Sequence, residues 1–356
     1  DMDAIYNLFP TLSAALDSFL RGFFPGNVVD VLMMLVSIIA ILLPLPFAVL
    51  ATTFLERKVI SRIQDRWGPN RAGPLGLLQP LADMIKMFTK EDIAPRNADK
   101  IIHFLAPVLF AALPFIGFVA IPFGIGMIGR DLDIGILFII AVTAPSAIVI
   151  LMAGWGSNNK YSLLGGMRAV AQLVSYEVPM ALSIVVVVML AGSLSTVKIV
   201  QAQAGPGNLG IGWYIFAFPV GTLAFLTYFI AAVAETNRAP FDIPEAESEI
   251  IAGYHTEYSG MKFGLFQMAE YMAVFIQSAI MVTLFFGGWQ GPILPSYVWF
   301  FLKFSALVFV FMWLRGTLPR LRVDELMAVA WKLLIPVTLA NIFVTGIAIS
   351  LAQAIL

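Results

Sequence analysis

The chain of 356 residues contains no cysteine. That excludes disulfides, thiolate zinc sites and iron–sulfur clusters ligated by this chain. Histidine is almost as scarce. His103 and His255 lie far apart in sequence, so no metal site is expected. Any redox cofactor then belongs to another subunit or is a mobile small molecule. Charged residues make up 12%, against about a quarter in an average soluble chain. The net charge of −1 gives no basis for a nucleic-acid partner. A GxxxxGK[ST] loop is also missing, so no nucleotide is expected in a P-loop. Gly124-x-Gly126-x-x-Gly129 and Gly205-x-Gly207-x-x-Gly210 match a dinucleotide pattern. Neither stands between a strand and a helix, and both read as turns. No cleavable leader is expected, because the first 27 residues hold three acids and lack a basic start.

What is abundant is apolar: 60% of residues are hydrophobic and mean hydropathy is +0.90. A bilayer core takes about 20 such residues per helix. Eight spans follow, at 31–55, 101–123, 134–153, 169–190, 213–234, 263–286, 298–314 and 333–354. The runs lack the alternation of barrel strands, so the expected fold is an all-α polytopic membrane protein. Seventeen of the 21 Lys and Arg fall between spans on one side and three on the other. Cytoplasmic loops are enriched in these residues. Both termini are therefore expected outside. An outward segment, 1–30, precedes one transmembrane domain, 31–356, with cytoplasmic loops 56–100, 154–168, 235–262 and 315–332. These loops are too short for a catalytic domain and read as a docking face.

Acidic residues stand where the bilayer makes them expensive. Glu177 lies in "QLVSYEVPMALS" and Glu270 in "FQMAEYMAVF". Intramembrane carboxylates tend to mark ion pathways, the plain alternative being a buried, hydrogen-bonded or protonated group that only packs. "AETNRAPFDIPEAESEI" carries Glu235, Asp242, Glu245, Glu247 and Glu249 against one base, Arg238. Carboxylates this close cannot all ionise cheaply, so such a cluster is suited to exchanging protons. A solvated acidic loop is the bland reading. The first cytoplasmic loop concentrates Arg57, Arg62, Arg66 and Arg71 at its start. Gly68–Pro69 and Gly73–Pro74 mark turns. Leu75–Lys90, with Asp83 and Lys86, reads as an interfacial helix. An apolar chamber with a few polar groups suits an amphiphile. Anchoring to lipid phosphates also accounts for the arginines, though less well for the turns.

Three stretches carry a resemblance: "ERKVISRIQDRWGPNRAGPLGLLQPLADMIKMFTKED", "AETNRAPFDIPEAESEIIAGYHTEYSGMKFGLFQMAEY" and "LPRLRVDELMAVAWKLLIPVTL". They closely resemble the membrane subunit of respiratory complex I called H in bacteria, from about Val31 to the C-terminus. In the third stretch Val323 and Glu325 stand where Tyr and Gln are usual. The resemblance implies a heel subunit of the NADH-quinone oxidoreductase membrane arm, with no catalytic centre complete in this chain. It implies FMN and iron–sulfur clusters in partner subunits, and peripheral-arm partners that include the one bearing the terminal cluster. It also implies small and antiporter-like membrane partners, lipid contact, and ubiquinone or menaquinone as mobile substrate. It puts Arg57, Arg62, Arg71, Asp83 and Lys86 near the quinone path. Glu235, Asp242, Glu245, Glu247 and Glu249 fall in an acidic funnel that Glu177 continues toward the membrane axis. Arg168, Arg238, Glu270, Arg320, Asp324 and Lys332 become supporting ions. The expected location is a bacterial inner membrane. Two other readings stay open: the homologous component of a membrane-bound nickel–iron hydrogenase, and a free-standing secondary transporter.

Overall fold

The protein is described here by a computed structural model covering residues 8–205, 210, 212–242 and 252–355. Those residues form helices and turns, and their one extended pairing is an isolated Gly124–Met127 bridge. Helix α1, Leu8–Arg21, lies inside the segment expected to precede the bundle. Helices α2, Gly26–Leu42, and α3, Pro44–Ile63, make one rod bent where Pro44 begins the second half. A proline lacks the N–H that would carry the helix ladder across that point. The rod runs two turns past Leu55, where the first span was expected to end. Nothing between Leu55 and Ile63 breaks a helix, so Glu56, Arg57 and Arg62 are helical rather than loop residues.

The Gly-Pro turns then fold the chain back. Gly76 has φ +83°, and a Cβ there would lie 2.1 Å from the Pro69 carbonyl oxygen. Only glycine allows that contact. Helix α4, Gln79–Thr89, starts four residues later than the expected interfacial helix, with Pro80 in its first turn, where proline is best tolerated.

Helix α5, Lys100–Gly117, begins at Asp99, whose carboxylate accepts from the N–H groups of Ile101 and Ile102. Helices α6, Gly135–Thr143, and α7, Ser146–Gly156, share one span interrupted near Pro145. Helix α8, Lys160–Ala191, is capped by Asn159 and ends at Gly192 with φ +65°. The expected loop 154–168 therefore shrinks to Ser157–Asn159, and Arg168 is half-buried on α8. Helix α9 is Thr196–Ala202.

Helix α10 is only Val220–Glu235, shorter than the expected 213–234 span. Pro219 precedes it, and 214–216 turn tightly instead. Helices α11, Gly260–Phe285, and α12, Ser296–Thr317, follow. Helix α13, Val323–Ala328, passes through a π-helical turn, Val329–Leu334, into α14, Ile335–Ile355. Seven helical stretches of the described residues are long and apolar enough to cross a membrane, with α10 a shorter apolar helix besides.

Helix α11 is the most enclosed of these spans, and the α2–α3 rod is the least. Tyr228, Phe275, Phe285 and Phe300 are fully buried around α11. A lysine buried on α12 is met by acceptors and ring faces. Lys303 Nζ donates to the carbonyls of Phe286, Gly288 and Gln290 at 2.6, 3.0 and 2.6 Å. It also stands over the ring faces of Trp213 and Trp299, 4.4 and 5.6 Å from their centroids. A buried cation needs such partners, because removal from water costs several kcal/mol.

Candidate functional site

At the end of the bundle that carries the basic 57–100 segment, α3, α4 and α11 enclose a cleft of about 600 Å³. Its walls are Pro46, Val49 and Leu50 from α3, Met84 and Met87 from α4, and Met268 and Tyr271 from α11. One edge is charged. Arg57 Nη1 meets Asp83 Oδ2 at 2.5 Å, and Lys86 Nζ lies 3.8 Å from Asp83 Oδ1. Gln79 donates to the same carboxylate at 3.1 Å. Partial burial works to raise the Asp83 pKa, but the Arg57 hydrogen bond and charge, with help from Gln79 and Lys86, hold it below the usual carboxylate range. Of the residues expected near a quinone path, Arg57, Asp83 and Lys86 line this cleft. Arg62 stands over the Trp67 ring, 4.8 Å away, and Arg71 is exposed; neither lines it.

Behind the cleft wall lies a polar cluster that the sequence did not announce. Glu56, 4% exposed, accepts from Arg238 Nη1 with both oxygens, at 3.0 and 3.1 Å. Arg315 Nη1 binds the same carboxylate. The Arg238 guanidinium also sits 4.5 Å from the Tyr271 ring centroid. Burial works against its charge, and the Glu56 carboxylate more than offsets that, so Arg238 stays firmly cationic. The chain distances, 182 and 259 residues, explain why no local pattern betrays the cluster. Arg238, expected as a supporting ion, is thus a buried partner of Glu56.

A second polar line runs inward from the end of α10. Gln277 Nε2 donates to Glu235 Oε2 at 2.9 Å, and the Tyr228 hydroxyl donates to Gln277 Oε1 at 2.5 Å. Glu235, Asn237, Gln277, Thr143 and Ser146 contribute the polar lining of a cavity of about 40 Å³, room enough for water. Glu177 is half-buried on α8 and makes no hydrogen bond or ion pair with another described residue. It borders an exposed apolar stripe that includes Leu164, Met167, Val174 and Val178.

Asp242 pairs with Arg320 at 3.2 Å, and the Tyr254 hydroxyl donates to Glu270 at 2.9 Å. Asp324 meets Arg322 at 3.4 Å on the exposed surface, and Lys332 is exposed on the π turn. Glu245, Glu247 and Glu249 lie outside the described residues. Among the described residues no group of His, Asp and Glu is placed to hold a metal ion.

The turn between α10 and Asp242 is held by residues that sequence reasoning passed over. Gln172 on α8 donates through Nε2 to Ala234 O at 2.7 Å, Phe241 O at 2.8 Å and Asn237 Oδ1 at 3.3 Å. The Leu321 N–H donates to Pro240 O at 3.0 Å. Gln172 sits in an apolar run, where a lone amide reads as packing.

Among the described residues, a bundle of helices long and apolar enough to cross a membrane, with an apolar cleft at its basic end, places the chain in the class of polytopic membrane proteins. Within that class the chain belongs to the NADH dehydrogenase family, whose profile matches residues 36–346. It is 54% identical over 308 residues to the H-type component of NADH-quinone oxidoreductase from Dehalococcoides mccartyi, covering 86% of this chain and 84% of that one. It is 51% identical over 302 residues to the second H-type component of the same enzyme from Geobacter sulfurreducens, covering 82% and 89%. With the H-type component from Carboxydothermus hydrogenoformans it shares 46% identity over 354 residues, 98% and 99% of the two chains. These names do not favour the hydrogenase or transporter readings.

Proposed function

We propose that this chain forms the quinone chamber of an NADH-quinone oxidoreductase and the first part of the route that couples quinone reduction to proton translocation. The observation that carries the proposal is the cleft: apolar along α3 and α11, charged at the Arg57–Asp83–Lys86 edge, and backed by Glu56 and Arg238. An apolar pocket with a few polar groups binds an amphiphile and fixes which end goes where. Ubiquinone or menaquinone, a polar ring on an isoprenoid tail, fits that description. Electrons would come from FMN and iron–sulfur clusters in peripheral-arm partners docked on the basic face.

Reduction of the quinone takes up protons and leaves transient negative charge at the head site. Glu235 and Asp242 would belong to the reservoir that answers this charge, Glu245, Glu247 and Glu249 are assigned to it from the sequence alone, and Glu177 would pass the change sideways. Its place beside an exposed apolar stripe supports that role, because such a stripe on a subunit is covered by lipid or by membrane partners, small and antiporter-like ones included. Helix α10, about 24 Å long, with the 213–219 segment, would complete an eighth span of a roughly 30 Å bilayer core. Eight spans put both termini outside a bacterial inner membrane.

The test is purification of the tagged chain from its native membrane. Copurified flavin and iron–sulfur subunits with inhibitor-sensitive NADH-to-quinone electron transfer are expected. A nickel–iron partner evolving hydrogen without quinone, or a lone chain with neither activity, overturns the proposal.

A further inference from the structure

One side chain fixes the segment from which the acidic loop departs, and the mechanism above does not use it. The amide of Gln172 donates to Ala234 O and Phe241 O at 2.7 and 2.8 Å, so a single nitrogen closes the chain between those two residues into a loop. Its third contact is Asn237 Oδ1 at 3.3 Å, inside that loop. Three acceptors around the nitrogen fix which way the amide faces. The residue is 1% exposed, and its Oε1 accepts no hydrogen bond from another described residue.

The closed loop contains Glu235, whose carboxylate accepts from Gln277 Nε2. It ends just before Asp242, which pairs with Arg320. Gln172 lies five residues ahead of Glu177 on α8, about 7.5 Å along the helix. Any displacement of the loop therefore pulls on the helix that carries Glu177.

We propose that Gln172 is a positioning residue for proton coupling: its amide clasps the loop between Ala234 and Phe241, and so sets Glu235 and Asp242 in place relative to Glu177. The inference rests on the coupling role given to Glu235 above. The clasp works by donation alone, and that makes it separable from packing. Leucine at this position keeps most of the volume and donates nothing. Glutamate keeps the shape and donates only while protonated.

The experiment uses the whole complex in proteoliposomes, measuring NADH-to-quinone rate and protons moved per electron between pH 6 and 8. In Gln172→Leu the proton-to-electron ratio is expected to fall by about half or more at every pH, with the electron-transfer rate reduced less, as for a two-state element shifted about tenfold. In Gln172→Glu the ratio is expected to recover as pH falls, because the acid form restores one donor. A purely structural role gives no such recovery. Glu235→Gln runs in parallel. If it lowers the ratio while both Gln172 variants keep the wild-type value, the positioning inference is wrong and the coupling reading stands. If Glu235→Gln also leaves the ratio unchanged, the coupling reading itself is wrong. Should Gln172→Leu not assemble, the pH dependence of Gln172→Glu decides alone: a ratio that is flat with pH overturns the inference.

Discussion

At the scale of single residues, charge is buried here only where geometry compensates it. Glu56 binds two guanidinium groups. Removing one member of a buried pair leaves the other uncompensated, at a cost of roughly 3–5 kcal/mol. Glu56→Gln is therefore expected to cut the amount of assembled complex sharply, as read on native gels, whereas Asp324→Asn, at an exposed pair, leaves it unchanged. Asp83 gives a pH signature. Its pKa is lowered in the folded protein, so its contribution is complete above the unfolded value, about 3.9, and is lost as pH falls through the lower folded value. Protease resistance of the 74–90 segment should be flat from neutral pH down to about pH 4 and drop only below that, and Asp83→Asn should remove the drop.

At the scale of elements, packing depends on close approach of backbones. A Cβ on Gly165 of α8 would lie 2.7 Å from backbone atoms of Gly253. Gly165→Ala should separate α8 from the 252–255 turn and destabilise the subunit by about 1–3 kcal/mol, lowering the temperature at which the complex dissociates. Gly192→Ala meets no neighbouring atom and tests backbone strain alone. Much of this level was legible in the sequence, because long apolar runs must be helices in a bilayer. Asp83 and Lys86, three residues apart, were readable as one helix face. The failures have local causes. Pro219 shortened the fifth span, where composition alone read as continuous. Helix α3 ran on past Leu55 because charge does not end a helix, although it ends an apolar run. Glu56 and Gln172 carried no signal in the sequence. Their partners lie in distant parts of the chain, and spacing carries no trace of such contacts.

At the scale of the whole molecule, the two ends differ in kind. The basic end holds the cleft, the Glu56 cluster and the start of the acidic loop. The other end holds the Lys303 cage, aromatic contacts such as Phe225 with Phe285 and Phe286, and a second cleft of about 620 Å³ beside Gln290 that has no charged edge of this kind. In the proposed function the basic end receives substrate and partners. Replacing Glu245, Glu247 and Glu249 together with Gln should abolish proton pumping in the proteoliposome assay while assembly, followed by copurification, is retained.

The α3 wall of the cleft has a further consequence. It contributes Pro46, Val49, Leu50, Thr53 and Arg57 in succession, about 16 Å of helix that passes from wholly greasy to fully charged. In the proposed function such a gradient would act as a ruler, registering how far a guest has climbed and which end leads. A guest with only a head has nothing to grip the lower rungs. Tailless quinone analogues are therefore expected to show a raised KM with the intact complex, and Leu50→Ser should narrow the difference between short and long tails by weakening only the long ones.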